Sequence, residues 1–102
     1  MSIFSFFSSQ TEPLLLAEDA VLVDVRSPVE FNQGHAKGAL NWPLDQLQPI
    51  LSAKKPDPSK PYVIYCASGA RAGVAKTLMS RAGFSNVVNV GGIAALAHLG
   101  IE

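Results

Sequence analysis

Cys66 is the only cysteine in the 102-residue chain, and its neighbours suit a reactive thiol. It follows the apolar run YVIY and precedes four small residues, Ala, Ser, Gly and Ala, before Arg71. Small side chains let consecutive backbone N–H groups turn toward one point and bind an anion. A helix that starts after such a loop adds its positive dipole end, which favours thiolate over thiol. The stretch therefore predicts an anion-binding loop around a nucleophilic Cys66, with Arg71 as a fixed cation.

The alternative is that Cys66 is a small buried hydrophobe and that Arg71 is a solvated helix residue. A cysteine that only fills a core requires neither a glycine-containing loop nor an arginine five positions later. The combination of strand end, small-residue loop, arginine and helix start therefore favours the reactive thiol.

Short strands and helices that alternate along the chain are predicted to position this loop. Strands are expected at residues 20–25, 39–42, 62–65 and 86–90, and helices at 27–34, 44–53, 71–82 and 93–99, with a turn at Gly91 and Gly92. The first helix is predicted to be capped by Ser27 and the second to be capped near Asp45. Such alternation is typical of a parallel sheet with helices on both faces. We predict a three-layer α/β/α fold with a five-stranded, mostly parallel sheet.

The composition describes one small globular domain over residues 1–102, with 48% hydrophobic and 16% charged residues. Basic and acidic residues number 8 each, which argues against nucleic acid or a membrane surface as a partner. The apolar residues 1–10 are too few for a membrane span, so we expect an edge strand or a packed arm there. A single cysteine excludes an intramolecular disulfide and a Cys-x-x-Cys site, and it favours a reducing, cytoplasmic location without a metal.

Three blocks of the sequence resemble rhodanese domains, and they occur in the family's order. They are VDVRSPVEFNQGHAKGALNWPL, YVIYCASGAR and VVNVGGI, which together span about residues 21–93. The resemblance implies a rhodanese-like fold and a thiosulfate sulfurtransferase. Thiosulfate or a persulfide donor would pass a sulfur atom to Cys66, and cyanide in an assay or a thiol in the cell would accept it. No metal or organic cofactor is implied.

The resemblance also implies roles for individual residues, with Cys66 as the sulfur-accepting nucleophile. The backbone of the loop that follows would cradle the bound sulfur, and this loop consists of Ala67, Ser68, Gly69, Ala70 and Arg71. Asp24, Arg26 and Glu30 would be ion-paired scaffold beside the site. His35 would be a packed, hydrogen-bonded imidazole rather than a general base. Leu96 stands where the family often has an aromatic residue, usually Trp.

Other functions compete with this one. Cysteine phosphatases and arsenate reductases resemble the loop but place five residues between Cys and Arg, whereas four intervene here. The shorter ring suits a single sulfur atom, and Tyr65 stands where such phosphatases commonly carry His. A non-catalytic rhodanese-like module that binds a partner commonly lacks the nucleophile, which this chain retains. A persulfide carrier that exchanges sulfur with a protein thiol is the remaining alternative.

Overall fold

The structure, a computed structural model, describes residues 16–102 and contains a parallel sheet with helices on both faces. The strands are β1 (Val21–Asp24), β2 (Leu40–Asn41), β3 (Tyr62–Cys66) and β4 (Val87–Gly92). Their order is β2-β1-β3-β4, and every neighbouring pair is parallel. The predicted α/β class is confirmed, but the described residues form four strands rather than five. The edge strand or arm predicted for residues 1–10 lies outside the described part of the chain.

Within residues 16–102, three α-helices and two 3-10 segments connect and cover the strands. The helices are α1 (Pro28–Gln33), α2 (Leu47–Lys54) and α3 (Ala70–Arg81), and the 3-10 segments are Leu44–Gln46 and Ile93–Leu99. Ser27 caps α1 as predicted, because its side chain accepts a hydrogen bond from the N–H of Glu30 while Glu30 accepts one from Ser27.

The second helix and the end of the chain differ from the sequence prediction. The cap predicted near Asp45 lies one residue later, at Gln46, which makes no side-chain capping hydrogen bond, and Asp45 itself lies within the first 3-10 segment. Pro49 is tolerated since it lies in the first turn of α2, where a backbone N–H has no partner within the helix. The glycines predicted as a turn, Gly91 and Gly92, instead continue β4.

Side chains from the two faces of the sheet enter two separate hydrophobic clusters. The five residues of β3 are all buried and alternate between these clusters. Ile64 and Cys66 contact the cluster that includes α3, whereas Val63 and Tyr65 contact the opposite one. Leu96 is fully buried in this second cluster, so an aliphatic side chain fills the place where the sequence lacks the family's aromatic residue.

Candidate active site

Cys66 ends the buried strand β3, at the carboxyl edge of the sheet. Its side chain is buried, and its Sγ accepts a hydrogen bond from the N–H of Gly69 at 2.9 Å. Gly69 has a φ of +107°, a conformation that glycine adopts readily, and it immediately precedes α3. This turn brings the start of α3 back over the sulfur, so the thiol faces the positive end of a helix.

The backbone around Cys66 is electrostatically arranged for a thiolate. Burial raises the pKa of the thiol, but backbone N–H groups directed at the sulfur outweigh burial, and the net pKa is lowered. These N–H groups belong to Ala72, Ser68, Gly69 and Arg71. The side chains of Ala67, Ser68 and Ala70 are exposed, which leaves the backbone of the loop to face the sulfur. A negatively charged sulfur is therefore stabilised at this point.

Strand β4 holds the Cys66 loop from its other side. The register between β3 and β4 shifts after Ile64, and this shift places Gly92 beside Cys66. A Cβ atom on Gly92 would collide with the carbonyl oxygen of Ala67, so the loop needs a glycine there. The loop can pack directly on the backbone of β4 because this side chain is absent.

Asn89 links the Cys66 loop to the glycines of β4. Its Nδ2 donates to the carbonyl oxygen of Gly69 at 3.1 Å, and its Oδ1 accepts from the N–H of Gly91 at 2.8 Å. Sequence reasoning missed this residue. The only signal in the sequence was that Asn89 lies two residues before a double glycine. This signal does not distinguish Asn89 from an asparagine at an ordinary surface position of a strand.

Arg71 is held in place by an acidic partner on α1. Its Nη1 and Nη2 donate to Oε1 and Oε2 of Glu30 at 2.7 and 3.0 Å. The bond from Arg71, followed by those from the backbone and hydroxyl of Ser27, lowers the pKa of Glu30 to about 2. Both side chains are about one-third exposed, at 38% for Arg71 and 32% for Glu30. The structure thus brings together two residues that the sequence could only propose separately.

Asp24 and Arg26 form a second ion pair, which is buried where β1 ends. Arg26 Nη2 lies 2.7 Å from Oδ2 of Asp24 and also donates to the carbonyl oxygen of Gly34 at 2.6 Å. Asn41 donates from its Nδ2 to the carbonyl oxygens of both residues. The pair therefore joins the end of β1 to the chain after α1 and to β2.

His35 packs at the end of α1 rather than against the sulfur loop. Its ring stacks on Phe31 with centroids 3.6 Å apart, and its Nδ1 lies 2.9 Å from the carbonyl oxygen of the same residue. Its Nε2 lies 3.2 Å from a carboxylate oxygen of Glu102. Nearby, the hydroxyl of Tyr65 accepts a hydrogen bond from the N–H of Ala36, and burial raises the pKa of Tyr65 to about 12.

An open pocket of about 410 Å³ adjoins the Cys66 loop. Its lining residues are Val25, Ser27, Pro43, Leu44, Asp45 and Arg71.

Within residues 16–102, no three acidic, His or Cys side chains cluster closely enough to hold a metal ion. None of the helices in this same range is both long and apolar enough to cross a bilayer.

Comparison with known proteins places these features in one family. The model of the rhodanese-like domain matches residues 10–98. The thiosulfate sulfurtransferase PspE of Escherichia coli is 35% identical over 75 residues, which cover 74% of this chain and 72% of PspE. A sulfurtransferase of Allochromatium vinosum is 39% identical over 94 residues, which cover 91% of this chain and 86% of that protein.

Solved structures agree with the sequence matches. The structure of a rhodanese with anions from E. coli superimposes with a TM-score of 0.74 at 31% identity, and the match covers 81% of this chain and 96% of that one. The resemblance seen in the three sequence blocks is thereby confirmed, and so is the fold. The chain belongs to the rhodanese-like family and is an enzyme of the rhodanese type.

Proposed function

We propose that this protein transfers sulfane sulfur from thiosulfate, or from a persulfide donor, to a nucleophilic acceptor through a Cys66 persulfide. The observation that carries the proposal is the set of four backbone N–H groups that lower the pKa of a buried thiol. The names of the relatives support it, because two of them are a thiosulfate sulfurtransferase and a sulfurtransferase. A single free cysteine that acts as a nucleophile must stay unoxidised, which favours a reducing, cytoplasmic location.

In the first half of the reaction, the Cys66 thiolate attacks the outer sulfur of thiosulfate. A bond forms between Sγ and that sulfur, the bond between the two thiosulfate sulfurs breaks, and sulfite leaves with the electron pair. The enzyme then holds a persulfide, whose outer sulfur carries the negative charge and accepts hydrogen bonds from the inward N–H groups. Arg71 would attract the departing sulfite through its guanidinium group, which is partly exposed.

In the second half, the acceptor attacks the outer sulfur of the persulfide. The bond between the two sulfur atoms breaks, Cys66 leaves as a thiolate, and the acceptor retains the transferred sulfur. Cyanide becomes thiocyanate in this step, and a thiolate becomes a persulfide. Because the donor product leaves before the acceptor reacts, the kinetics are expected to be ping-pong.

Mass spectrometry of the thiosulfate-treated protein tests the proposal directly. One sulfur atom should be added at Cys66, and addition of cyanide should remove it and release thiocyanate. Cys66→Ser should show neither change while retaining the circular dichroism spectrum of the native protein. Equal thiocyanate release by both proteins would overturn the role of Cys66. Aryl phosphate hydrolysis at a comparable rate would instead favour the phosphatase alternative.

The role of Arg71 in donor binding needs its own test. Arg71→Ala is expected to raise the KM for thiosulfate more than it lowers kcat, because the cation faces an anionic substrate. The donor half-reaction can be followed by the appearance of the persulfide mass. An unchanged KM in a folded variant would remove Arg71 from donor binding.

A further inference from the structure

One residue, Arg71, contributes both to the surroundings of the Cys66 sulfur and to the wall of the neighbouring pocket. The backbone N–H of Arg71 is directed at Cys66 Sγ, and the side chain of Arg71 lines the pocket. Val25, which also lines the pocket, follows β1 and packs in the same hydrophobic cluster as Cys66. The pocket therefore opens at the same edge of the sheet as the thiol. Its volume of about 410 Å³ suits a small molecule.

The charges that line the pocket are not balanced within it. Arg71 is already neutralised by the two hydrogen bonds to Glu30. Asp45 is exposed at the pocket and makes no hydrogen bond or ion pair with any residue in the described part of the chain. The remaining wall contains the apolar side chains of Val25, Pro43 and Leu44. The pocket thus combines an apolar surface with one uncompensated negative charge.

We propose that this pocket is the acceptor subsite and that Asp45 selects small thiols that carry an ammonium group. The inference rests on the proposed function and adds the chemical class of the acceptor. An ammonium group would lie against the Asp45 carboxylate, and the carbon chain would pack on the apolar wall. The dianion thiosulfate is a poor ligand for a pocket with unbalanced negative charge, so donor and acceptor occupy neighbouring but different places.

The transfer itself balances with the acceptor as a thiolate. The thiol first loses its proton to solvent, and its sulfur then attacks the outer sulfur of the Cys66 persulfide. The bond between that sulfur and Sγ breaks, and the electron pair stays on Cys66 as a thiolate, which the backbone N–H groups stabilise. The acceptor leaves as a persulfide, and no oxidant or reductant beyond the persulfide is consumed.

The test measures discharge of a preformed Cys66 persulfide by three thiols of similar size. Cysteamine carries an ammonium group, 2-mercaptoethanol is neutral, and 3-mercaptopropionate carries a carboxylate. Each second-order rate constant is obtained from the loss of the added sulfur mass, in the native protein and in Asp45→Asn. The intrinsic reactivity of each thiol cancels, because every acceptor is compared with itself in the two proteins.

Asp45→Asn is expected to slow discharge by cysteamine roughly two- to five-fold relative to 2-mercaptoethanol, the range for an exposed ion pair. Discharge by 3-mercaptopropionate should become faster. Asp19→Asn removes an exposed acid that does not line the pocket, and it should leave all three rates unchanged. If the ratio of the Asp45→Asn rate constant to the native one is the same for all three thiols, the inference is overturned. Failure to form the persulfide at all would instead contradict the proposed function.

Discussion

Glu30 and Arg71 are 41 residues apart in the sequence, yet their side chains form a two-point ion pair beside the sulfur loop. Glu30 has two tasks, because it also completes the cap of α1 with Ser27. The guanidinium of Arg71, at the start of α3, is therefore fixed in orientation by the same side chain that caps a helix. Its charge is also largely balanced before any substrate binds.

Glu30→Gln is expected to strengthen donor binding. A glutamine can still accept the hydrogen bond from the N–H of Ser27, so the cap is preserved, but it no longer neutralises Arg71. The KM for thiosulfate should fall roughly two- to five-fold, the range for an exposed ion pair, with a smaller change in kcat. Steady-state kinetics at several thiosulfate concentrations would measure it.

Ser27→Ala provides the matched control for Glu30→Gln. It weakens the cap of α1, at a cost of about 0.5–2 kcal/mol, and leaves the charge of Glu30 in place. Its effect should appear in thermal unfolding rather than in the KM for thiosulfate. If the two variants shift KM alike, helix packing and not charge determines donor binding.

The lowered pKa of Cys66 predicts how its reactivity depends on pH. Alkylation by iodoacetamide should rise with pH as the thiolate forms and level off at a lower pH in the folded protein than in denaturant. Since the chain has one cysteine, loss of the unmodified mass reports on this site alone. Folding should likewise gain stability as pH rises between the folded and unfolded pKa values, because the unfolded chain binds more protons there. Coincident pH profiles for folded and denatured protein would contradict the role of the N–H groups.

Arg26→Met should be strongly destabilising. Asp24 is fully buried, and Arg26 is only 7% exposed, so the variant leaves a carboxylate inside the protein without its cation. Such a change costs about 3–5 kcal/mol in the free energy of unfolding. Urea denaturation would measure the loss.

Arg81→Met is the control for Arg26→Met, because Arg81 is an exposed arginine at the end of α3. We expect a change within about 0.5 kcal/mol, as for most surface substitutions. If both variants lose a similar amount of unfolding free energy, the buried pair of Asp24 and Arg26 contributes no more to stability than an exposed arginine does.

The elements that carry the site were predictable from local patterns. A buried apolar run predicts β3, a Ser-Pro pair predicts the start of α1, and small residues predict the loop after Cys66. Each of these signals depends on neighbours within a few residues. The resemblance of three blocks to rhodanese domains then supplied the family, which the comparisons confirm.

The contacts between elements were not predictable in this way. The pairing of Glu30 with Arg71 depends on how α1 packs near α3, and the contact of Asn89 with Gly69 depends on the register of β4. The predicted turn at Gly91 and Gly92 failed because a double glycine serves a turn and a close backbone approach equally well in sequence. The close approach is recognisable only from the structure, where the carbonyl oxygen of Ala67 lies against Gly92.

Gly92→Ala tests that close approach. The new Cβ would meet the carbonyl oxygen of Ala67 and push the Cys66 loop away from β4, since a backbone atom cannot move aside as a flexible side chain does. The N–H groups would then lose their alignment on the sulfur, and a loss of two or three such donors is expected to reduce kcat/KM by at least about 100-fold. Gly73→Ala is the control, because a Cβ there lies 3.7 Å from Nδ2 of Asn89, an ordinary contact. It should keep its activity and gain about 0.5–1 kcal/mol of stability, since alanine replaces glycine inside α3. Full activity in Gly92→Ala would show that the loop does not need the glycine backbone of β4.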